Sequence, residues 1–256
     1  MSLIEMMLAV AVLALMAGAL GMLTQAVRVS TAYADGTTAA TQHARVALYR
    51  IDTAVSLSFA NETFPGAMVF AATVGGYTYP DTLVVWRPAA EPAAPGGLPR
   101  FDEIVVFCPN PNAPHELLEI TAPNDTRTVP DTGDLATWNT ELAALKTGAN
   151  SSRVVLSDLL RSAAPTGDPA AARGAVRFAV DLRPTAADWN SFRAATLAFA
   201  SLSWPQSVYG AKAGLRQTRV SCELQLVCAR SGAADRATLP PLTFFGSATG
   251  YGELRQ

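Results

Sequence analysis

The chain has 256 residues, of which 50% are hydrophobic and 16% are charged, a composition typical of a folded protein rather than a disordered one. Its 19 Lys and Arg residues nearly balance its 21 Asp and Glu residues, and no dense basic cluster indicates a nucleic-acid surface. Length and charge therefore predict one sizeable domain without nucleic-acid contact.

The chain begins with an apolar segment that carries one carboxylate. No charged or strongly polar residue lies between Met6 and Leu23, and a helix over this range extends roughly 27 Å, close to the thickness of a bilayer's hydrocarbon core. Glu5 stands just before it, where an acid costs on the order of a few kcal/mol unless it finds a partner or becomes neutral. From chemistry alone, Glu5 is equally consistent with a specific role and with a position at the headgroup boundary of an ordinary membrane anchor.

The first 25 or so residues are similar to a known family. Ser2-Leu3-Ile4-Glu5 before an unbroken apolar helix resembles the mature N-terminus of type IV pilins and type II secretion pseudopilins, which begin with Phe or Met, then Thr or Ser, Leu, Ile and Glu. The resemblance implies that prepilin peptidase cleaves before Met1, after a short basic leader, and methylates the new amino group. The chain is then expected to be the mature form, without a secretory signal peptide.

The same resemblance implies how the helix is used. The monomer is expected in a bacterial inner membrane with its C-terminal domain outside the cytoplasm, and later in a periplasmic or extracellular filament with copies of itself and other pilins. In the filament core, the Glu5 carboxylate is expected to accept hydrogen bonds from the Met1 amino group of a neighbouring subunit, which sets the register. Apolar residues are expected to pack there, namely Leu3, Ile4, Leu8, Val12 and Leu15.

One departure from the family concerns the bend in this helix. Type IV pilins often carry a kinking proline at the position that is Met22 here. Gly18 and Gly21 are the nearest weak points, because glycine in a helix interior costs about 1 kcal/mol relative to alanine. Any unwinding on assembly is therefore expected at these two residues, or is absent.

The helical pattern continues beyond the apolar segment. Ala44, Ala47, Ile51 and Val55 recur at three- and four-residue spacing, which is typical of an amphipathic helix. The sequence thus predicts one helix from about Ser2 to about Ala60. It divides the chain into an apolar helix at 1–25, its amphipathic continuation at 26–60 and a β-rich globular domain at 61–256.

The sequence of the globular domain predicts short strands with a few helices. Strands are predicted at 67–74, 82–86, 103–108, 175–182 and 218–229, with 115–121 a further candidate and 153–161 ambiguous between strand and helix. Helices are predicted from Asp134 to Leu145 and from Thr185 to about Ala200. The Gly-rich tail carries candidate docking groups, namely Phe244, Phe245 and Tyr251. This order predicts an α+β fold, in which an antiparallel sheet packs on the second half of the long helix and loops and short helices are inserted. The resemblance to pilins implies that this fold is pilin-like.

Three cysteines, Cys108, Cys222 and Cys228, allow at most one intrachain disulfide. On one straight strand the sulfur atoms of Cys222 and Cys228 stand roughly 20 Å apart, too far to bond. A bridge from Cys108 to one of them and three buried thiols both remain, the thiols being slightly favoured. No catalytic motif, cofactor site or metal site is predicted, since His43 and His115 lie in no ligand-spaced cluster.

Three functions are open at this point. The first is a structural subunit of a type IV pilus or pseudopilus. Gln42–Asp52 followed by a β-rich domain resembles J-type minor pseudopilins, so a subunit that initiates or caps a secretion pseudopilus is an alternative. A membrane-anchored binding or adhesion module is the alternative of another class, and an enzyme is not expected.

Overall fold

The computed structural model describes residues 2–148, 151–164, 171–207, 210–211, 213–228 and 240–254. The helices are α1 (Leu3–Ser56), α2 (Leu135–Thr147) and α3 (Ala186–Arg193). The strands are β1 (Ala67–Val74), β2 (Tyr77–Trp86), β3 (Ile104–Pro109), β4 (Leu117–Thr121), β5 (Ser152–Ser157), β6 (Ser162–Ala163), β7 (Arg173–Gly174), β8 (Val176–Arg183), β9 (Gln206–Ser207), β10 (Gly210–Ala211), β11 (Leu215–Leu226) and β12 (Leu242–Glu253). The α+β architecture predicted from the sequence, with a long N-terminal helix and antiparallel sheet, is confirmed.

The strands form two principal antiparallel sheets rather than one. Strands β1 to β5 follow one another in chain order across a five-stranded sheet, and β12, β11 and β8 form a three-stranded sheet with β11 at its centre. The pairs β6–β7 and β9–β10 are short two-stranded additions. The predicted strands at 67–74, 103–108 and 175–182 lie within one residue of β1, β3 and β8.

Helix α1 ends at Ser56, earlier than the predicted Ala60. Beyond it the chain turns, and the side-chain oxygen of Asn61 accepts hydrogen bonds from the backbone N–H groups of Thr63 at 2.9 Å and Phe64 at 2.8 Å. An asparagine that binds the backbone two and three residues later favours a turn over further helix. Asn61 therefore fixes the exit from the helix.

Strand β2 starts at Tyr77, five residues before the predicted Thr82. Its register with β1 shifts between Phe70 and Ala72, so that Pro80 falls within an irregularity of the ladder. Proline donates no hydrogen bond and is tolerated in a strand at such a bulge. The ambiguous segment 153–161 begins as a strand, β5.

Helix α3 is shorter than predicted. It is capped by Thr185 as expected, but it ends at Arg193 rather than near Ala200. Ala195 adopts a left-handed conformation with φ of 55°, and the Thr196 N–H donates to the Ser191 carbonyl at 2.9 Å. Such helix ends usually carry glycine. Because alanine stands there, the sequence offers no stop signal.

The tail that carries the three candidate docking residues includes a strand that the sequence did not predict. Residues 242–253 form β12, which pairs with β11 along its whole length. Phe244 packs against the core, whereas the side chains of Phe245 and Tyr251 lie on the solvent side. The glycines on this strand allow the close approach of α1.

Two hydrophobic cores lie on opposite faces of the five-stranded sheet. The first joins that sheet, the second half of α1 and the inner face of the three-stranded sheet. Its helix residues are mostly small, namely Ala40, Ala44, Ala47, Ile51, Ala54 and Val55. The second core packs α2, through Trp138 and Leu142, on the other face of the five-stranded sheet. The central strands β2 and β3 are therefore covered on both sides.

Candidate functional site

The first half of α1 extends beyond the globular domain. Every residue from Ser2 to Asp35 is exposed, and the first buried residue of the helix is Ala40. The predicted packing residues all lie on this part, with exposed fractions of 75% for Leu3, 77% for Ile4, 68% for Leu8, 48% for Val12 and 75% for Leu15. So large an apolar surface needs a membrane or a protein partner.

By length and composition, α1 has what a membrane anchor or a signal sequence requires. Its most apolar window is 0% buried within the chain, which sets it apart from the core helix of a soluble protein. The structure thus supports the membrane part of the predicted location.

Glu5 closes a capping box with Ser2 at the start of α1. The Ser2 backbone N–H donates to Glu5 Oε2 at 2.7 Å, and the Glu5 backbone N–H donates to Ser2 Oγ at 3.4 Å. A negative charge in the first turn also complements the helix dipole. The Glu5 carboxylate therefore has a partner within its own chain, and Oε1 accepts no hydrogen bond from the described residues.

Met1, the predicted site of methylation and the predicted partner of Glu5, lies outside the described residues. The pair between Glu5 and a neighbour's Met1 thus stays a prediction. A second donor at Oε1 is compatible with the capping box, because a carboxylate accepts several hydrogen bonds.

Gly18 and Gly21 lie within an unbroken stretch of α1, and no atom lies within 4 Å of a Cβ built on either glycine. Helix α1 is equally continuous through Met22. Both glycines are thus open to a neighbouring helix. Gly36 differs, because a Cβ there would overlap the carbonyl group of Cys228.

An apolar stripe on the projecting half of α1 lies in phase with the buried face. Met22, Ala26, Val29 and Tyr33 follow one another at three- and four-residue spacing and line one shallow surface hollow. The same spacing continues to Ala40, Ala44, Ala47 and Ile51, which are buried against the domain. The sequence analysis missed this continuity, although the 3.6-residue period alone carries the signal.

The globular domain holds α1 by polar contacts as well as by packing. Arg50 donates from Nε and Nη2 to the Glu119 carboxylate on β4, at 2.8 and 2.6 Å. These bonds, and the charge of Glu119, raise the pKa of Arg50 above its usual value. Glu119 is nearly buried, with 5% of its side chain exposed, so the pair fixes how the helix lies on the five-stranded sheet.

A second group of contacts holds the segment that follows the helix. The buried Arg216 on β11 donates to the Asn61 carbonyl and lies over the Trp189 ring, with its guanidinium carbon 5.5 Å from the ring centre. Burial lowers the pKa of Arg216 to about 10. Trp189 and Arg193 both donate to the Glu62 carbonyl, at 3.2 and 2.7 Å. The segment that links α1 to β1 is thereby held against the domain.

The three cysteines are free thiols. Cys108 and Cys222 are buried in the two cores, and burial raises the pKa of each to about 12. Cys228 is half-buried beside α1, where its sulfur lies 3.6 Å from Thr37 Oγ1.

No family model, curated protein or solved structure matches the chain. Within the part of the chain that the structure describes, no group of three or more His, Cys, Asp or Glu residues is placed to hold a metal ion. The projecting helix is thus the feature from which function is inferred.

Proposed function

We propose that the chain is a structural subunit of a type IV pilus or pseudopilus filament. The observation that carries the proposal is the division of α1 into two halves. One face of its second half is buried against the globular domain, and its first half projects with every described residue exposed. A 54-residue helix of this kind can rest in a bilayer as a monomer and later exchange lipid for the helices of neighbouring subunits.

In this proposal Glu5 selects the register of assembly. An unpartnered carboxylate in an apolar core costs several kcal/mol, so a neighbour that places its Met1 amino group on Glu5 is favoured over one shifted along the axis. The capping box lowers that cost in the monomer, because Ser2 already donates to the carboxylate. Ser2 thus prepares Glu5 without occupying both oxygens.

The in-phase stripe supports packing of a neighbour directly below the globular domain. Met22, Ala26 and Val29 present the same helix face that the domain covers from Ala40 onward. A second copy of the chain that covers this face would extend the first core along the helix.

Within the same class, a J-type minor pseudopilin that initiates or caps a filament is the alternative. The two are distinguished by abundance in purified filaments. A shaft subunit makes up most of the mass, whereas a minor subunit is scarce and is recovered with other pseudopilins.

A membrane-anchored binding module is the alternative of another class. The distinguishing experiment replaces residues 1–25 by an unrelated membrane anchor of equal length. The proposal predicts loss of filaments in electron micrographs while the protein stays in the membrane fraction. If the native chain formed no filaments, and the chain with the foreign anchor kept all of its binding to a surface or polymer, the proposal would be contradicted.

A further inference from the structure

The three-stranded sheet has one face covered by α1 and one face open to solvent. Along β11 the burial alternates, so that Val220, Cys222 and Leu224 face inward while Arg219 and Ser221 face outward. Strands alternate side chains between two faces, and β8 and β12 follow the same alternation. The odd-numbered residues of these strands therefore form one outer surface.

A row of small residues crosses this outer surface. Ser221 on β11 pairs with Ala179 on β8 and with Ser247 on β12. The small side chains leave a groove of about 510 Å³ that crosses the three strands. The direction of the groove bears on which ligand it can bind, because an extended peptide that adds to a sheet edge runs along the strands rather than across them.

Larger side chains border the groove on both sides. On one side lie Arg177, Glu223 and Phe245, which are directly paired across the strands. On the other side lies Arg219, which pairs with Asp181 on β8. Each row of paired residues beside the groove thus carries one guanidinium and one carboxylate, and the charges of the two rows balance, with Asp181 standing just outside the groove lining.

These charged groups do not form ion pairs with one another. Within the described residues, neither Arg177 with Glu223 nor Arg219 with Asp181 forms an ion pair within 4.0 Å. The Glu223 carboxylate accepts one hydrogen bond, from Gln225 Nε2 at 3.1 Å. Donors and acceptors are therefore both available along the groove.

A second cleft, of about 230 Å³, lies on the side of β12 that faces α1 and is lined by Tyr49 and Asp52 of the helix. It shares Cys222, Gly246 and Ser247 with the groove. An exposed aromatic ring stands beside each hollow, since Phe245 is 74% exposed and Tyr49 is 69% exposed. Exposed rings flanked by hydrogen-bonding groups suit a ligand with both apolar and polar faces.

We propose that this groove binds a neutral carbohydrate chain. A hydroxyl group donates one hydrogen bond and accepts others, which matches borders that offer guanidinium donors beside carboxylate acceptors. The C–H face of a sugar ring packs on an aromatic side chain such as Phe245. Balanced charge disfavours both polyanions and polycations, and the crossing direction disfavours a peptide strand. The inference goes beyond filament assembly and does not depend on it.

The test is titration calorimetry on the full chain in a detergent that contains no sugar. The probes are cellohexaose, maltohexaose and chitohexaose, with dextran sulfate and oligoglutamate as anionic comparators. At least one neutral hexasaccharide should bind with a Kd on the order of 1 mM or tighter. Phe245→Ser should weaken that binding roughly threefold to tenfold, and Ser221→Phe, which fills the groove, should abolish it.

Tyr251→Ser is the matched control, because Tyr251 lies on the same face, is 55% exposed and does not line the groove. The Tyr251→Ser variant should bind the neutral hexasaccharide with the same affinity as the native chain. Circular dichroism should show that all variants are folded. Absence of binding by all three neutral probes would overturn the proposal. So would binding of the anionic probes alone, or an equal loss from Tyr251→Ser and Phe245→Ser.

Discussion

Glycine residues on β12 determine how closely the last strand approaches the long helix. A Cβ at Gly246 would stand 2.7 Å from Leu48 Cδ2, and one at Gly250 would stand 2.5 Å from the Val55 carbonyl oxygen. Both positions face α1, because they alternate with the outward residues of the strand. The glycines of the tail are therefore the residues that let β12 pack closely against α1.

Gly250→Ala is expected to destabilise the globular domain by about 1–3 kcal/mol, because the new methyl group forces the strand and helix apart. Thermal or denaturant unfolding followed by tryptophan fluorescence measures the change. Gly96→Ala is the control, since no atom lies within 4 Å of a Cβ at Gly96. Equal stability of the two variants would show that the strand does not lie against α1 as described.

The cysteines are expected to differ in reactivity. The thiolate is the reactive form, and at pH 8 it is scarce at Cys108 and Cys222, where burial raises the pKa to about 12. The half-buried Cys228 should therefore be alkylated first in the native protein, and all three should react after denaturation. Mass spectrometry of the labelled peptides provides the measurement. A pair that reacts only after reduction would instead reveal a disulfide.

At the scale of elements, α1 is one helix with two environments. Its buried half needs small residues because both sheets and the helix meet there, and Ala44 and Ala47 are at most 1% exposed. Its projecting half has no buried face, and its large apolar side chains lie exposed. The first buried residue, Ala40, marks where the helix meets the domain.

Ala47→Leu is expected to destabilise the domain by roughly 1–3 kcal/mol or more, because a close-packed core has no room for the added methylenes. Val46→Leu, one residue away and 51% exposed, should change stability by less than about 0.5 kcal/mol. Chemical denaturation of both variants tests this contrast. Similar losses of stability in the two variants would show that a different face of the helix packs on the sheets.

The elements that could be predicted are those whose signal is local. The period of α1, the Asp134 and Thr185 caps and the alternation along β11 all depend on neighbouring residues, and the structure has each of them. The end of α3 could not be predicted, because an alanine rather than a glycine takes the left-handed conformation there. Strand β12 could not be predicted, because its glycines are explained only by contacts with the distant helix α1. The division into two sheets likewise depends on long-range pairing.

The candidate site was partly visible in the sequence. The apolar run and the lone Glu5 were evident, and their placement on an exposed helix follows from them. The continuity between Val29, Tyr33 and the buried stripe was not recognised, and the groove near Phe245 was not foreseen. That groove depends on the pairing of three strands, which no local pattern records.

At the scale of the whole molecule, the chain joins a rigid domain to an uncovered apolar rod. The Arg50–Glu119 pair and the buried face of α1 fix the direction of the rod relative to the sheets. A fixed direction allows identical subunits to repeat one head-to-tail contact, which generates an open helical filament when the contact does not close into a ring. The proposed function rests on this arrangement.

The most direct measurement compares filament yield with membrane insertion for the native chain, Glu5→Leu and the control Asp35→Leu. Filaments are sheared from cells, imaged by electron microscopy and quantified, while the membrane fraction reports the monomer. We expect Glu5→Leu to insert normally but to lower filament yield roughly tenfold or more, because the neighbour's amino group loses its partner. Asp35→Leu should assemble as the native chain does. A normal yield from Glu5→Leu, or no filaments from the native chain, would contradict the proposed function.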